Sequence, residues 1–146
     1  MKSRTFTILS IAVFTLLLSA CADSKGEHAK GNITESVWGL VSVKAPASNS
    51  ILIPPKDKIP TLEVMSDGTV KGTTGCNSFE GQAALANHNL TFGNLIKTKI
   101  ICPDAPIESA YFSMLDSVDN YTVDHGHLLL KKGHRLFATL MSLDMR

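Results

Sequence analysis

This 146-residue chain lacks an excess of either charge. Fourteen Lys and Arg stand against thirteen Asp and Glu, and no basic cluster exceeds pairs such as Lys131-Lys132 and Lys97/Lys99. Nucleic-acid phosphates demand a clustered cationic surface, so a nucleic-acid partner is excluded. A hydrophobic run of membrane-spanning length is also missing. The longest, Phe6 to Leu18, has thirteen residues, against about twenty needed to cross a bilayer core. Internal repeats and low-complexity tracts are absent. Cysteine is scarce, with Cys21, Cys76 and Cys102 the full set, so each has to be accounted for.

The short apolar run follows a cationic head, Lys2 and Arg4, and closes on Leu18-Ser19-Ala20-Cys21. Small residues at Ser19 and Ala20 mark a signal-peptidase site. A cysteine directly behind that site is similar to a bacterial lipobox, in which the Cys21 thiol receives a diacylglyceryl group before cleavage. The alternative is an ordinary secretory leader with an accidental cysteine. Residues 1–20 are therefore expected to be a lipoprotein signal peptide. The remainder carries twelve cations and thirteen acids, and the lipid would be its strong membrane attachment. Ala22, not Asp, follows Cys21, which favours the periplasmic face of an outer membrane over retention at the inner one. Residues 21–35 are expected to be a flexible polar tether, with the folded domain spanning 36–146. With Cys21 assigned, Cys76 and Cys102 remain. In an oxidising envelope such a pair forms a disulfide more often than a metal or catalytic site; two free buried thiols are the alternative.

Val37, Trp38, Leu40, Val41 and Val43 suggest a first strand, and the proline-rich stretch 46–60 a loop. Thr61–Met65 alternates cleanly, and Ser66-Asp67-Gly68 turns it into Thr69–Gly72, a hairpin signal. Shorter strands are expected at Gly81–Leu85, Asn89–Phe92 and Ile96–Ile101. Ile107, Tyr111, Met114, Leu115 and Val118 recur with helical period. Asp104 would cap that helix, with Pro106 and Glu108 in its first turn and an end near Asn120. Strands at Tyr121–Asp124, Leu128–Lys132 and Leu136–Met141 complete an α+β pattern.

The densest special-geometry segment is Gly72-Thr73-Thr74-Gly75-Cys76-Asn77-Ser78-Phe79-Glu80-Gly81. Three glycines in ten residues imply turns or close backbone approach, and Asn77 tolerates left-handed dihedrals. With its surroundings the segment resembles the META domain, the family of the HslJ heat-shock-type envelope proteins. The family's early Trp-x-Leu is matched by Trp38-Gly39-Leu40, and its Gly-x-x-Gly-Cys-Asn by Gly72, Gly75, Cys76 and Asn77. The following aromatic and glycine are Phe79 and Gly81, and the Thr-x-x-x-Cys element is Thr98 to Cys102. A helix led by Glu108 and a leucine-rich strand pair, Leu128–Leu130 and Leu136, complete the order. The resemblance covers about Val37 to Leu140. It departs in the proline-rich loop and at Ile100-Ile101, where the family often has a small residue or Met. It implies a small antiparallel, partly open barrel or curled sheet with one late helix packed on it. Members are linked to heat shock, antibiotic tolerance and envelope upkeep, and no catalytic residues are established.

A Cys76 nucleophile with one of His88, His125, His127 or His134 is the sharpest enzymatic idea, and pairing with Cys102 would consume it. His125-Gly126-His127 with His134 is a weak metal signal, because a turn glycine spoils the shared strand face. Asp116 and Asp119 are expected on the helix's hydrated side. No catalytic residue, metal or cofactor is expected. Trp38, Leu62, Val64, Phe79, Phe92, Tyr111 and Phe137 should point inward, as core or around a slot for an apolar ligand. The expectation is a monomeric, non-enzymatic, lipid-anchored binding protein whose partner is an apolar ligand or another envelope protein.

Overall fold

The computed structural model describes residues 31–103 and 105–144. The leader, Cys21, the tether before residue 31 and the Asp104 cap lie outside these residues.

Alternation builds the sheet. In β3 (Thr61–Val64) Leu62 and Val64 are buried while Thr61 and Glu63 stay half-exposed, and β4 (Thr69–Thr73) buries Val70 and exposes Lys71. Period-two side chains divide core from solvent in this way. The turn between them has the expected chemistry: Gly68 adopts φ +85°, and the Asp67 carboxylate accepts from Thr69 N at 2.8 Å. The remaining strands are β1 (Val37–Lys44), β2 (Ile51–Leu52), β5 (Ser78–Ala86), β6 (Asn89–Lys97), β7 (Asn120–Asp124), β8 (His127–Lys132) and β9 (Arg135–Ser142).

All pairings are antiparallel, in the order β2-β1-β3-β4-β5-β6-β7-β8-β9, and β1 also pairs with β9. That extra pairing makes the sheet ring-like. β1 manages three neighbours because it offers one edge to β3 through Val37–Gly39 and to β2 through Val43 and Lys44. The thinnest seam is β6 to β7, with a single register pair, Asn89 and Asn120. Helix α1 (Ala105–Ser117) runs between those strands in the chain and packs on β1 and β6. Its apolar stripe, Ala110, Tyr111, Met114 and Leu115, is buried, as is Val118 just beyond.

Trp38, Tyr111, Leu62, Leu90, Leu128, Leu130 and Leu140 fill the space between helix and sheet, each 2 % exposed or less. Burial of each such side chain contributes about 1.5–3 kcal/mol. The polar ends of the two large rings are satisfied. Trp38 Nε1 donates to the Ile33 carbonyl at 2.7 Å, and the Tyr111 hydroxyl donates to the Thr61 carbonyl at 3.1 Å. Burial pushes the Tyr111 phenol far up, so it stays neutral.

Four details differ from the sequence expectation. A short 3-10 helix, η1 (Ile33–Glu35), precedes β1, and Ile33 is fully buried, so the folded body begins before Ser36. The proline-rich stretch contains β2, which pairs with the end of β1. β5 begins at Ser78, ahead of Gly81. Asn89–Phe92 and the start of Ile96–Ile101 belong to one strand, β6, which is bulged opposite β5 between Glu80 and Gln82.

Candidate functional site

The Gly72–Gly81 segment forms the connection from β4 to β5. Gly72 is required by proximity: a Cβ there would collide with the Thr61 carbonyl oxygen and the Phe79 ring. Gly75 has φ +89° and lies against the Lys58 carbonyl, which a side chain would also displace. The turn closes on itself, with Thr74 N donating to Asn77 O at 2.7 Å and Asn77 N donating to Thr74 Oγ1 at 2.9 Å.

Asn77 is 2 % exposed and uses its whole side chain. Its Oδ1 accepts from Thr98 Oγ1 at 2.7 Å and from Ile100 N at 2.8 Å. Its Nδ2 donates to Ile100 O at 3.0 Å and to Glu108 Oε2 at 2.9 Å. One amide therefore clamps the loop after β6 and the first turn of α1. The Cys76–Cys102 disulfide, spanning 26 residues, ties the same turn to the same loop. Glu108 closes the cluster by accepting from Lys97 Nζ at 2.9 Å, and that ammonium also sits 4.3 Å from the Phe112 ring centroid. Burial pushes the Glu108 carboxyl up, but hydrogen bonds from Asn77, Lys97 and Thr74, with the Lys97 charge, outweigh it. The net result lies below the ordinary carboxylate value.

Of the family-motif positions, Gly72, Gly75, Cys76, Asn77, Thr98, Cys102 and Glu108 thus meet at one end of the sheet. Phe79 packs edge-on to Tyr111 and Phe112 beneath them. Gly81 lies where the β5–β6 register shifts, and a Cβ there would meet Leu95 and the Gly93 and Asn94 carbonyls. Trp38 is in the core. These groups bond to one another and Cys76 is bonded to Cys102, so the cluster is a staple in which the Cys76 sulfur is held in the disulfide. The histidines are placed elsewhere: His88 lies edge-on to Tyr121, His125 and His127 flank the Gly126 turn, and His134 follows Gly133 at the β8–β9 turn. Asp116 and Asp119 are exposed, as expected, but Asp119 lies beyond the helix end, where it also accepts from Gly133 N at 2.8 Å and holds the β8–β9 turn. Phe92 and Phe137, expected inside, are only partly buried.

A groove of about 600 Å³ lies on the outer face of the sheet beside the staple. Register explains its lining. Val37, Glu63, Lys71, Glu80 and Ile96 face one another across five strands, and Thr61, Thr73 and Ser78 form the next row. Both rows line the groove. The floor is mixed in character: Lys71 pairs with Glu63 at 3.2 Å, while Ile96 is 69 % exposed. Sequence reasoning missed this groove. Its only sequence signal is that these residues are the polar partners of the alternating strands, and nothing local aligns them.

The sequence profile described as the META domain matches residues 31–142. No curated protein matches the chain. Among solved structures, one titled an NMR structure of a protein from Burkholderia xenovorans is 26 % identical with a TM-score of 0.63, covering 78 % of this chain and 85 % of that one. A second NMR structure is 20 % identical with a TM-score of 0.60, covering 78 % and 95 %. A crystal structure of a DUF4847 family protein from Bacteroides vulgatus is 16 % identical with a TM-score of 0.54, covering 75 % and 93 %. The last two identities establish shared fold alone. The profile match spans most of the chain: it belongs to the META domain family.

Proposed function

We propose that this chain is a lipid-anchored envelope protein, held through Cys21 at the periplasmic face of the outer membrane, that supports the envelope under stress by binding and catalyses no reaction. The observation that carries the reading is where space and free chemistry lie. The interior is occupied by fully buried side chains, the motif cluster satisfies itself, and the roomy surface is the outer groove of β1, β3, β4, β5 and β6. A groove with apolar Val37 and Ile96 at its ends and alternating charge between them suits an extended peptide segment of another envelope protein. An apolar small molecule is the second reading, favoured by the exposed Ile96 and now assigned to this groove instead of the interior.

The test compares the native protein with Cys21→Ser and Ser78→Trp in cells lacking the chromosomal copy. Ser78 is exposed on the groove floor, so an indole there fills the groove while sparing the core. The native chain should fractionate with membranes and carry acyl groups at Cys21 by mass spectrometry. Cys21→Ser should become soluble. Ser78→Trp should remain anchored and folded yet fail to restore resistance to heat or detergent. Unaltered membrane fractionation of Cys21→Ser contradicts the anchor, and full activity of Ser78→Trp contradicts the groove.

A further inference from the structure

One end of the sheet displays aliphatic side chains that nothing among the described residues covers. Ile101 is 99 % exposed and Ile100 61 %. Apolar side chains on a pliable loop would fold back onto the body, because removing them from water is favourable. Here the loop cannot do so. Asn77 holds both the N–H and the C=O of Ile100, Cys102 is bonded to Cys76, and Thr98 N donates to Ser78 O at 3.0 Å. The staple described above therefore fixes two isoleucines in an outward position.

The neighbouring loop adds to this end. β1 ends, β3 begins, β4 ends and β5 begins here, and the Lys58 carbonyl meets Gly75 next to the disulfide. The segment before Lys58 exposes Ile53 by 73 %. Residues 44–60 and 97–103 together contain Lys44, Lys56, Lys58, Lys97 and Lys99 against one acid, Asp57. Glu108 neutralises Lys97. Neither segment holds an aromatic residue or arginine. Protein–protein interfaces are enriched in aromatics and Arg and depleted of Lys, so isoleucine within a lysine rim fits a different partner. Aliphatic side chains entering the acyl boundary, with ammonium groups at the headgroups, match an anionic bilayer surface.

We infer that the 98–103 loop, with the adjoining 53–58 loop, is a docking tip that seats the domain on an anionic phospholipid surface. The inference rests on the membrane anchoring proposed above. Nine residues, 22–30, lie between Cys21 and Gly31, and the ten steps reach up to roughly 33 Å, enough for this end of a small domain to turn to the lipid. The tether keeps the local concentration high, so a tip too weak to hold the protein alone still sets its orientation. Docking by this end leaves the outer groove open sideways to the periplasm.

The test uses the mature chain, Cys21 to Arg146, coupled through the Cys21 thiol to maleimide lipids in vesicles of phosphatidylethanolamine and phosphatidylglycerol. Chemical coupling makes the result independent of acylation in cells, so failure here is distinct from failure of the anchor proposal. Ile101→Trp is the reporter, against the buried Trp38 of the native chain as background. The expected result is a blue shift of the new indole, quenching by brominated acyl chains and protection from iodide. Adding Ile100→Glu and Lys99→Glu should weaken docking by about ten-fold or more, with the urea midpoint unchanged because both side chains are exposed. An indole quenched by iodide and untouched by bromine overturns the inference. So does equal quenching on phosphatidylcholine vesicles, which removes the role of charge, or protection from both quenchers, which means a protein contact.

Discussion

Asn77→Ala is the most informative single change to stability. The substitution removes two acceptor contacts at Oδ1 and the donor contacts from Nδ2 to Ile100 and Glu108. Ile100 is 61 % exposed, so its backbone groups regain water and the loss there is small. The Glu108 carboxylate, 13 % exposed, is only partly rehydrated, and a hydrogen bond to a charged acceptor is worth about 1.5–3 kcal/mol. With a neutral bond at Oδ1 and the void left by the amide, the expected loss is about 3–4 kcal/mol. For a domain of this size that lowers Tm by roughly 15 °C. The assay is urea and thermal unfolding of the Cys21→Ser mature protein, monitored by circular dichroism. Asn77→Asp is the isosteric control. It sets a second carboxylate beside Glu108, and the mutual repulsion raises the pair's proton affinity, so this variant should be worst near pH 7 and recover partly as the pH falls toward 5. A loss below about 1 kcal/mol for Asn77→Ala would mean that the disulfide alone holds the loop, and the account of the clamp would be wrong.

Glu108 gives the native protein an acid dependence of its own. Its folded pKa lies below the ordinary 4.5, so its contribution is complete above that value and disappears as pH falls through the lowered one. Glu108→Gln should cost about 1–2 kcal/mol at pH 7 and flatten the stability profile below pH 5; an unchanged acid limb would refute the assignment. Reduction of the disulfide across 26 residues should lower stability by about 3.5 kcal/mol on the chain-entropy model. A reductant-insensitive urea midpoint would argue against it. Gly72→Ala, whose methyl would meet Thr61 O and the Phe79 ring, should destabilise by about 1–3 kcal/mol or more. Gly93→Ala has nothing within 4 Å of its new methyl and should stay within about 1 kcal/mol of native; similar losses in the two would show that packing is not the reason for Gly72.

The elements with strong local signals were legible from sequence alone. The α1 stripe from Ile107 to Val118, the Asp67-Gly68 turn and the Leu128–Lys132 strand all announce their period within a few residues. β2 was hidden because two residues, Ile51 and Leu52, carry no period, and they become a strand only through partners on β1. The sequence reading divided β6 into Asn89–Phe92 and the start of Ile96–Ile101. Asn94 does adopt φ 54°, but the strand absorbs it as an irregularity opposite Gly81. The motif residues were identifiable by resemblance, whereas the reason for Asn77 was not, since its partners lie 21 to 31 positions away. The groove was least legible of all: its rows exist only once five strands are in register.

The central claim is that the stapled turn is scaffold and the outer surface is where this protein works. Its most direct test is rescue of a strain lacking the chain, comparing Cys76→Ala/Cys102→Ala with Ser78→Trp, each at matched levels of folded, membrane-bound protein. The account predicts that the disulfide-free variant, which keeps Cys21, restores stress resistance at a temperature where it folds, and that the groove-filled variant does not. Rescue by Ser78→Trp with loss of function in the folded disulfide-free protein would contradict it.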